Sequence, residues 1–198
     1  MKRPALSLSV SLALAGSAAP ALAHTGHGGT TDLVAGLLHP VFAADHLLAM
    51  VAVGLWSGFV LPARLWAGAF AFLMAMALGA GLAWAGVAVA GVEGAVLLSV
   101  VVFGLMVLLS RPDQTRGRTG LSLAAIAAFG AAHGYAHAAE ATGAVWPYLA
   151  GFLSATAILH LAGLGLARLV QAGPSAGSLQ RALGSAIAAG GLMMAAAG

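Results

Sequence analysis

The chain has no cysteine, which removes disulfides, thiolate metal sites and thiol catalysis and leaves the redox compartment open. Charge is nearly as scarce. Asp, Glu, Lys and Arg make up 7% of the 198 residues, against about 25% in an ordinary soluble domain. With 61% hydrophobic residues, a chain of this size can neither hide its apolar surface nor wet its exterior, so a soluble globule is excluded. The net charge of +3 rests on a few scattered arginines, too sparse to track a phosphate backbone, and nucleic acid is excluded as a partner. No G-x-x-x-x-G-K-[ST] motif occurs, so the chain does not drive itself with ATP. Neither an internal repeat nor a separate soluble domain is visible. What is abundant is glycine, 28 residues, about twice the usual ~7%. In so apolar a chain this points to helices approaching closely in a lipid bilayer.

The first 23 residues read as a signal peptide. Lys2 and Arg3 form a basic start, Leu6 to Gly16 a short apolar run, and Ala21-Leu22-Ala23 a small-residue cleavage pattern after Pro20. Cleavage there makes His24 the new N-terminus, with residues 24–35 as an outward-facing tail and 36–198 as an all-α, polytopic membrane bundle. Six apolar runs follow: Gly36 to Val60, Leu65 to Ala90, Gly94 to Ser110, Leu121 to Ala139, Tyr148 to Val170 and Ala182 to Ala197. A crossing needs about 20 residues; the first five suffice, and the last, interrupted by Gly190-Gly191, is marginal. Arg64, Arg111, Arg116, Arg118, Arg168 and Arg181 all fall on alternate connections or adjoining helix ends, while Glu93 and Glu140 fall on the others. This positive-inside pattern predicts a multi-pass protein of the cell inner membrane with both termini periplasmic.

An ionisable group at membrane depth is expensive, roughly 2.5–3.5 kcal/mol or more at the bilayer centre, and marks function by default. Five of the 7 histidines fall inside apolar runs: His39 and His46 in the first, His133 and His137 in the fourth, and His160 in the fifth. Asp45 is the one clearly intramembrane acid, and Glu140 sits at the outer rim. With no Lys or Arg at that depth to pair with Asp45, a metal cation would supply the missing charge. His39 and His46, seven apart, are expected to share one face of a continuous helix, with Met50 one turn on. His133, His137 and Glu140 make a second stripe. At about 1.5 Å per residue, the imidazoles form a ladder from the outer surface to the midplane, so the first, fourth and fifth runs are expected to be mutual neighbours. Duller roles exist for each. His160 can bond Thr156 one turn away, His39 can belong to a helix start beside Pro40, Asp45 can share a proton with a histidine, and Met50 can simply pack. Five histidines and an aspartate confined to three runs are not what those roles predict together.

The segment His39-Pro40-Val41-Phe42-Ala43-Ala44-Asp45-His46-Leu47-Leu48-Ala49-Met50 closely resembles the H-P-x-x-G-x-D-H-x-x-x-M signature of the HupE/UreJ family. His133-Gly134-Tyr135-Ala136-His137-Ala138-Ala139-Glu140 and the stretch from Gly151-Phe152 through Ala155-Thr156 to Leu159-His160 and Gly163 are similar to its other motifs. Ala43 and Ala138 stand where the family pattern favours glycine. The resemblance implies a membrane protein, not an enzyme, that supplies nickel (Ni2+) or cobalt (Co2+) for hydrogenase or urease maturation. It carries over His39, Asp45, His46, His133, His137, Glu140 and His160 as the metal path. Imidazole and carboxylate independently suit Ni2+, Co2+ and Zn2+. An intramembrane zinc hydrolase and a bis-histidine b-haem electron carrier use the same residue types and stand as alternatives.

Overall fold

The computed structural model describes residues 30–140 and 144–197, so the signal peptide, the tail around His24 and Gly198 lie outside the described residues. Those residues form an all-helical protein of seven helices: α1 (Thr30–Phe42), α2 (Ala44–Val60), α3 (Ala67–Trp84), α4 (Val92–Leu108), α5 (Arg116–Glu140), α6 (Val145–Gln171) and α7 (Ala176–Ala197). α3 and α6 are each long and apolar enough to cross a membrane, and α1 and α2 pass that test together as a pair. α4 is equally apolar but has 17 residues. The last run, doubtful in sequence because of Gly190-Gly191, is helical throughout α7.

The first apolar run is not the continuous helix its length suggests. It breaks at Ala43, and α1 and α2 meet at 76°. Pro40, inside α1, offers no N–H to the preceding turn, which weakens the helix just before the break. α1 closes with the Ala43 N–H on the His39 carbonyl at 3.0 Å. Ala43 then turns extended, with φ −85° and ψ 109°. That leaves the first N–H groups of α2 without intrahelical acceptors, and Asp45 Oδ1 accepts one of them, from His46, at 2.8 Å. The glycine of the family pattern is dispensable here because a negative φ in the extended region suits alanine equally well.

Four helix pairs hold the bundle together, and each does so through glycine on both partners. Gly36 of α1 faces the Tyr148 carbonyl and Gly151 of α6 faces that of Leu33. Gly54 of α2 faces His160 and Gly163 of α6 faces Val51. Gly79 of α3 faces Ala131 and Gly134 of α5 faces Met76. Gly104 of α4 faces Ala188 and Gly184 of α7 faces Leu108. At each of these positions a Cβ would overlap the neighbouring helix backbone. Without a hydrophobic drive between helices in lipid, this close approach supplies the attraction, and it explains why glycine is so frequent. The larger core side chains, among them Met50, Trp56, Phe59, Phe72 and Phe103, fill the space between these pairs.

One rim is tied together by polar and aromatic contacts. Tyr135 on α5 donates its hydroxyl to the Val87 carbonyl at 2.8 Å and accepts from the Val89 N–H at 3.2 Å, fixing the link between α3 and α4. Trp84 and Trp146 meet at 5.5 Å between ring centroids, joining the end of α3 to the start of α6. Asp32 accepts the Ala144 N–H at 3.0 Å and fastens α1 to the same place. At the other rim Gln180 donates to the Val107 and Ser110 carbonyls at 3.0 and 2.9 Å, satisfying acceptors that the end of α4 leaves open.

Candidate metal centre

The break between α1 and α2 builds the site. The seven-residue spacing cannot place His39 and His46 on one helical face, because they belong to different helices at a steep angle; the depth count along a single straight helix fails for the same reason. The bend folds the two side chains toward each other instead, with ring centroids 5.4 Å apart. His137 reaches in from α5, 4.6 Å from His39 and 4.4 Å from His46. One ring nitrogen from each of the three lies within 4.8 Å of the others, a spacing that one metal ion can bridge. His46 and His137 are buried, and His39 is partly so.

Asp45 does not point at the cluster as a fourth free ligand. Its Oδ1 accepts the Nδ1–H of His46 at 2.6 Å, besides the backbone N–H of the same residue. A carboxylate only accepts, so Nδ1 of His46 carries the proton and Nε2 of the neutral ring carries the lone pair. That lone pair faces Nε2 of His137. A carboxylate behind the distal nitrogen of an imidazole fixes its tautomer and orientation and raises its basicity, the usual support for a metal-bound histidine.

His133, one turn before His137, is fully buried, with its ring 5.0 Å from that of His46. Its Nδ1–H donates to the Phe129 carbonyl at 2.9 Å. His160 is buried deeper along α6 and bonds the Thr156 backbone carbonyl at 2.6 Å, not the threonine hydroxyl. The seven sequence candidates are therefore divided. His39, His46 and His137 converge, Asp45 orients one of them, His133 adjoins them, and His160 stands apart. Glu140 is the last residue of α5, and its side chain lies outside the described residues. Met50 is wholly buried in the core. The expected mutual adjacency of the three histidine-bearing runs is also revised. α2 and α1 pack on α6, but α5 packs principally along α3 and joins the others through its imidazoles.

Three aromatic residues beside the histidines are not among the sequence candidates. Phe152 on α6 is buried against His137 at 4.3 Å, His39 at 6.0 Å and His46 at 6.4 Å between centroids, forming an apolar wall common to the cluster. Tyr148, one turn earlier, stacks on Phe152 and flanks His39. Phe72 on α3 touches His133 and His160, each at 5.2 Å. In an apolar run an aromatic that lines a site looks like one that faces lipid. The signal in the sequence was the place of Phe152 in the third motif, next to Gly151.

The chain matches the family model described as HupE / UreJ protein over residues 12–194. It is 36% identical to Protein HupE of Rhizobium leguminosarum bv. viciae over 189 residues, covering 92% of this chain and 94% of that protein. No solved structure matches. The histidine cluster at the broken helix is built from the signature segment itself together with the second motif, and with a match of this extent the chain belongs to the HupE/UreJ family.

Proposed function

We propose that the protein is an inner-membrane permease that takes Ni2+, with Co2+ as the second candidate, from the outer side and passes it inward for a metalloenzyme such as hydrogenase or urease. In this reading the broken α1–α2 pair makes one crossing and α3 to α7 one each, with both termini outside and the arginine-bearing links in the cytoplasm. The observation that carries the reading is the Asp45–His46–His137 arrangement. Two imidazole nitrogens face each other, a third histidine lies within bridging distance, and one ring is held by a carboxylate from behind. Imidazole donors suit a borderline divalent ion, and the Asp45 charge offsets part of its desolvation. Inward movement of a divalent cation is favoured by about 4.6 kcal/mol at 100 mV, twice the single-charge value. A haem carrier fits less well. Axial imidazoles must straddle a macrocycle, and rings packed 4.4 to 5.4 Å apart leave no plane for one.

Purified protein in liposomes with an inside-negative potential is the direct test. Ni2+ accumulation above protein-free vesicles, reduced by His46→Gln, supports the permease. Accumulation equal to empty vesicles, under conditions where the protein stays folded, rejects it.

A further inference from the structure

The outer cluster leaves two buried histidines unexplained, and both are held in the same unusual way. In His133 and in His160 the Nδ1–H donates to the carbonyl one helical turn back, Phe129 and Thr156 respectively. A carbonyl cannot donate, so each neutral ring carries its lone pair on Nε2. Neither Nε2 meets a hydrogen-bond partner, although both residues are at least 98% buried. The Thr156 hydroxyl, on the turn of α6 before His160, is equally buried and also unpartnered.

A histidine kept only for structure would satisfy both nitrogens, since buried polar groups are nearly always paired. A ring tied at Nδ1 to a backbone carbonyl, with Nε2 bare, is the arrangement that prepares a metal ligand. The two bare nitrogens belong to successive levels. His133 adjoins His46 of the outer cluster. His160 lies about 22 Å along α6 from its start at Val145, at 1.5 Å per residue. Phe72 adjoins both, its ring 5.2 Å from each imidazole.

We propose that His160, reached from His133 past the Phe72 ring, is a second, inner station for the same divalent cation. The inference rests on the reading of the chain as a cation carrier and adds a site to it. The two stations differ in the direction that transit requires. The outer one has three converging imidazoles and a carboxylate behind one of them, and so captures. The inner one has a single imidazole with the Thr156 hydroxyl on the preceding turn, and so holds weakly enough to release. Conduction through successive sites needs binding favourable enough to enter and weak enough to leave. Phe72 adjoins both levels, and an ion leaving His133 for His160 passes that ring.

Cobalt provides the probe, because the chain has no cysteine and a thiolate placed at one position is spectroscopically unique. A thiolate bound to a metal is deprotonated outright. In the full chain purified in lipid nanodiscs, His160→Cys should therefore develop a near-ultraviolet thiolate-to-Co2+ charge-transfer band as the second equivalent of Co2+ is added. The wild type should bind two Co2+ per chain and show no such band. His160→Gln should bind one, while the His39→Gln/His137→Gln double variant should keep the weaker of the two.

Two Co2+ retained by His160→Gln would overturn the inner station, as would a His160→Cys variant that stays free of the band at saturating Co2+. A wild type that binds one Co2+, lost in the outer double variant, would leave the carrier reading standing and remove the inner station alone. A folded wild type that binds none would remove both.

Discussion

The α4–α7 pair and the α2–α6 pair are built by the same device and used differently. In both, glycines on each partner bring the backbones together, Gly104 and Gly184 in one, Gly54 and Gly163 in the other. In α4 the buried polar side chain is Ser99, whose hydroxyl returns to the Val96 carbonyl of its own helix at 2.6 Å, and Gln180 of α7 only satisfies carbonyls at the end of α4. In the other pair α6 carries His160, and α2 begins at a broken helix that sets His46, held from behind by Asp45, against His137. Close glycine packing is thus a property of the whole bundle and says nothing about function. What differs is the polar chemistry: imidazoles from separate helices meet beside one pair, whereas serine and glutamine only satisfy backbone carbonyls in the other.

The largest expected effect tests the part that the two pairs share. Gly184→Val in the histidine-free pair and Gly163→Val in the histidine-bearing pair both push a side chain into a facing backbone, an overpacking cost of about 3 kcal/mol. Folded protein in the membrane, measured by detergent-resistant monodispersity, should collapse in both. Normal yield of either variant would show that the packing is looser there than the contacts indicate.

Next come the changes that should separate the pairs. His46→Gln removes a ligand nitrogen and should lower Ni2+ uptake per molecule about 100-fold, the upper end of what disturbing a metal centre costs, with little change in abundance. Asp45→Asn keeps size and removes the charge that holds Nδ1–H of His46, so a fall of about 10-fold is expected. If instead abundance drops and uptake per molecule survives in both variants, the pair is structural and the cluster is not the transport site.

Acidification gives a smaller, graded effect. A protonated imidazole has no lone pair to offer, so Ni2+ retention should decline as the medium is acidified and recover on return to neutrality. Retention that rises on acidification would contradict ligation by neutral histidines. Last, Ser99→Ala deletes a hydroxyl bonded only within its own helix, and a cost below about 1.5 kcal/mol is expected. Normalised Ni2+ uptake should match the wild type. A transport defect there would erase the distinction between the two pairs.

What could be read from the sequence and what could not divide along physical lines, as particular residues show. That the protein is helical and membrane-embedded followed from the scarcity of charge and the length of the apolar runs, because lipid allows few ways to satisfy a backbone. That His39, His46, His133, His137 and His160 are the candidates for a site followed from the cost of placing such groups in hydrocarbon. Which helix pairs would form did not follow, since glycine occurs on every helix from α1 to α7 and carries no partner address.

Ala43 shows the limit most clearly. Its own preferences permit either a helical or an extended backbone, and Pro40 and Asp45 only tilt the balance locally. Periodicity counted through Ala43 therefore brought His39 and His46 together for the wrong reason. Composition and spacing determined which residues are polar, how deep they can lie and that helices must carry them, because those depend on local chemistry and on the solvent. The bend, the meeting of His46 with His137 and the aromatic walls of Phe152 and Phe72 were decided only by tertiary structure. They depend on how separate helices dock, and docking is settled by contacts between residues far apart in the chain.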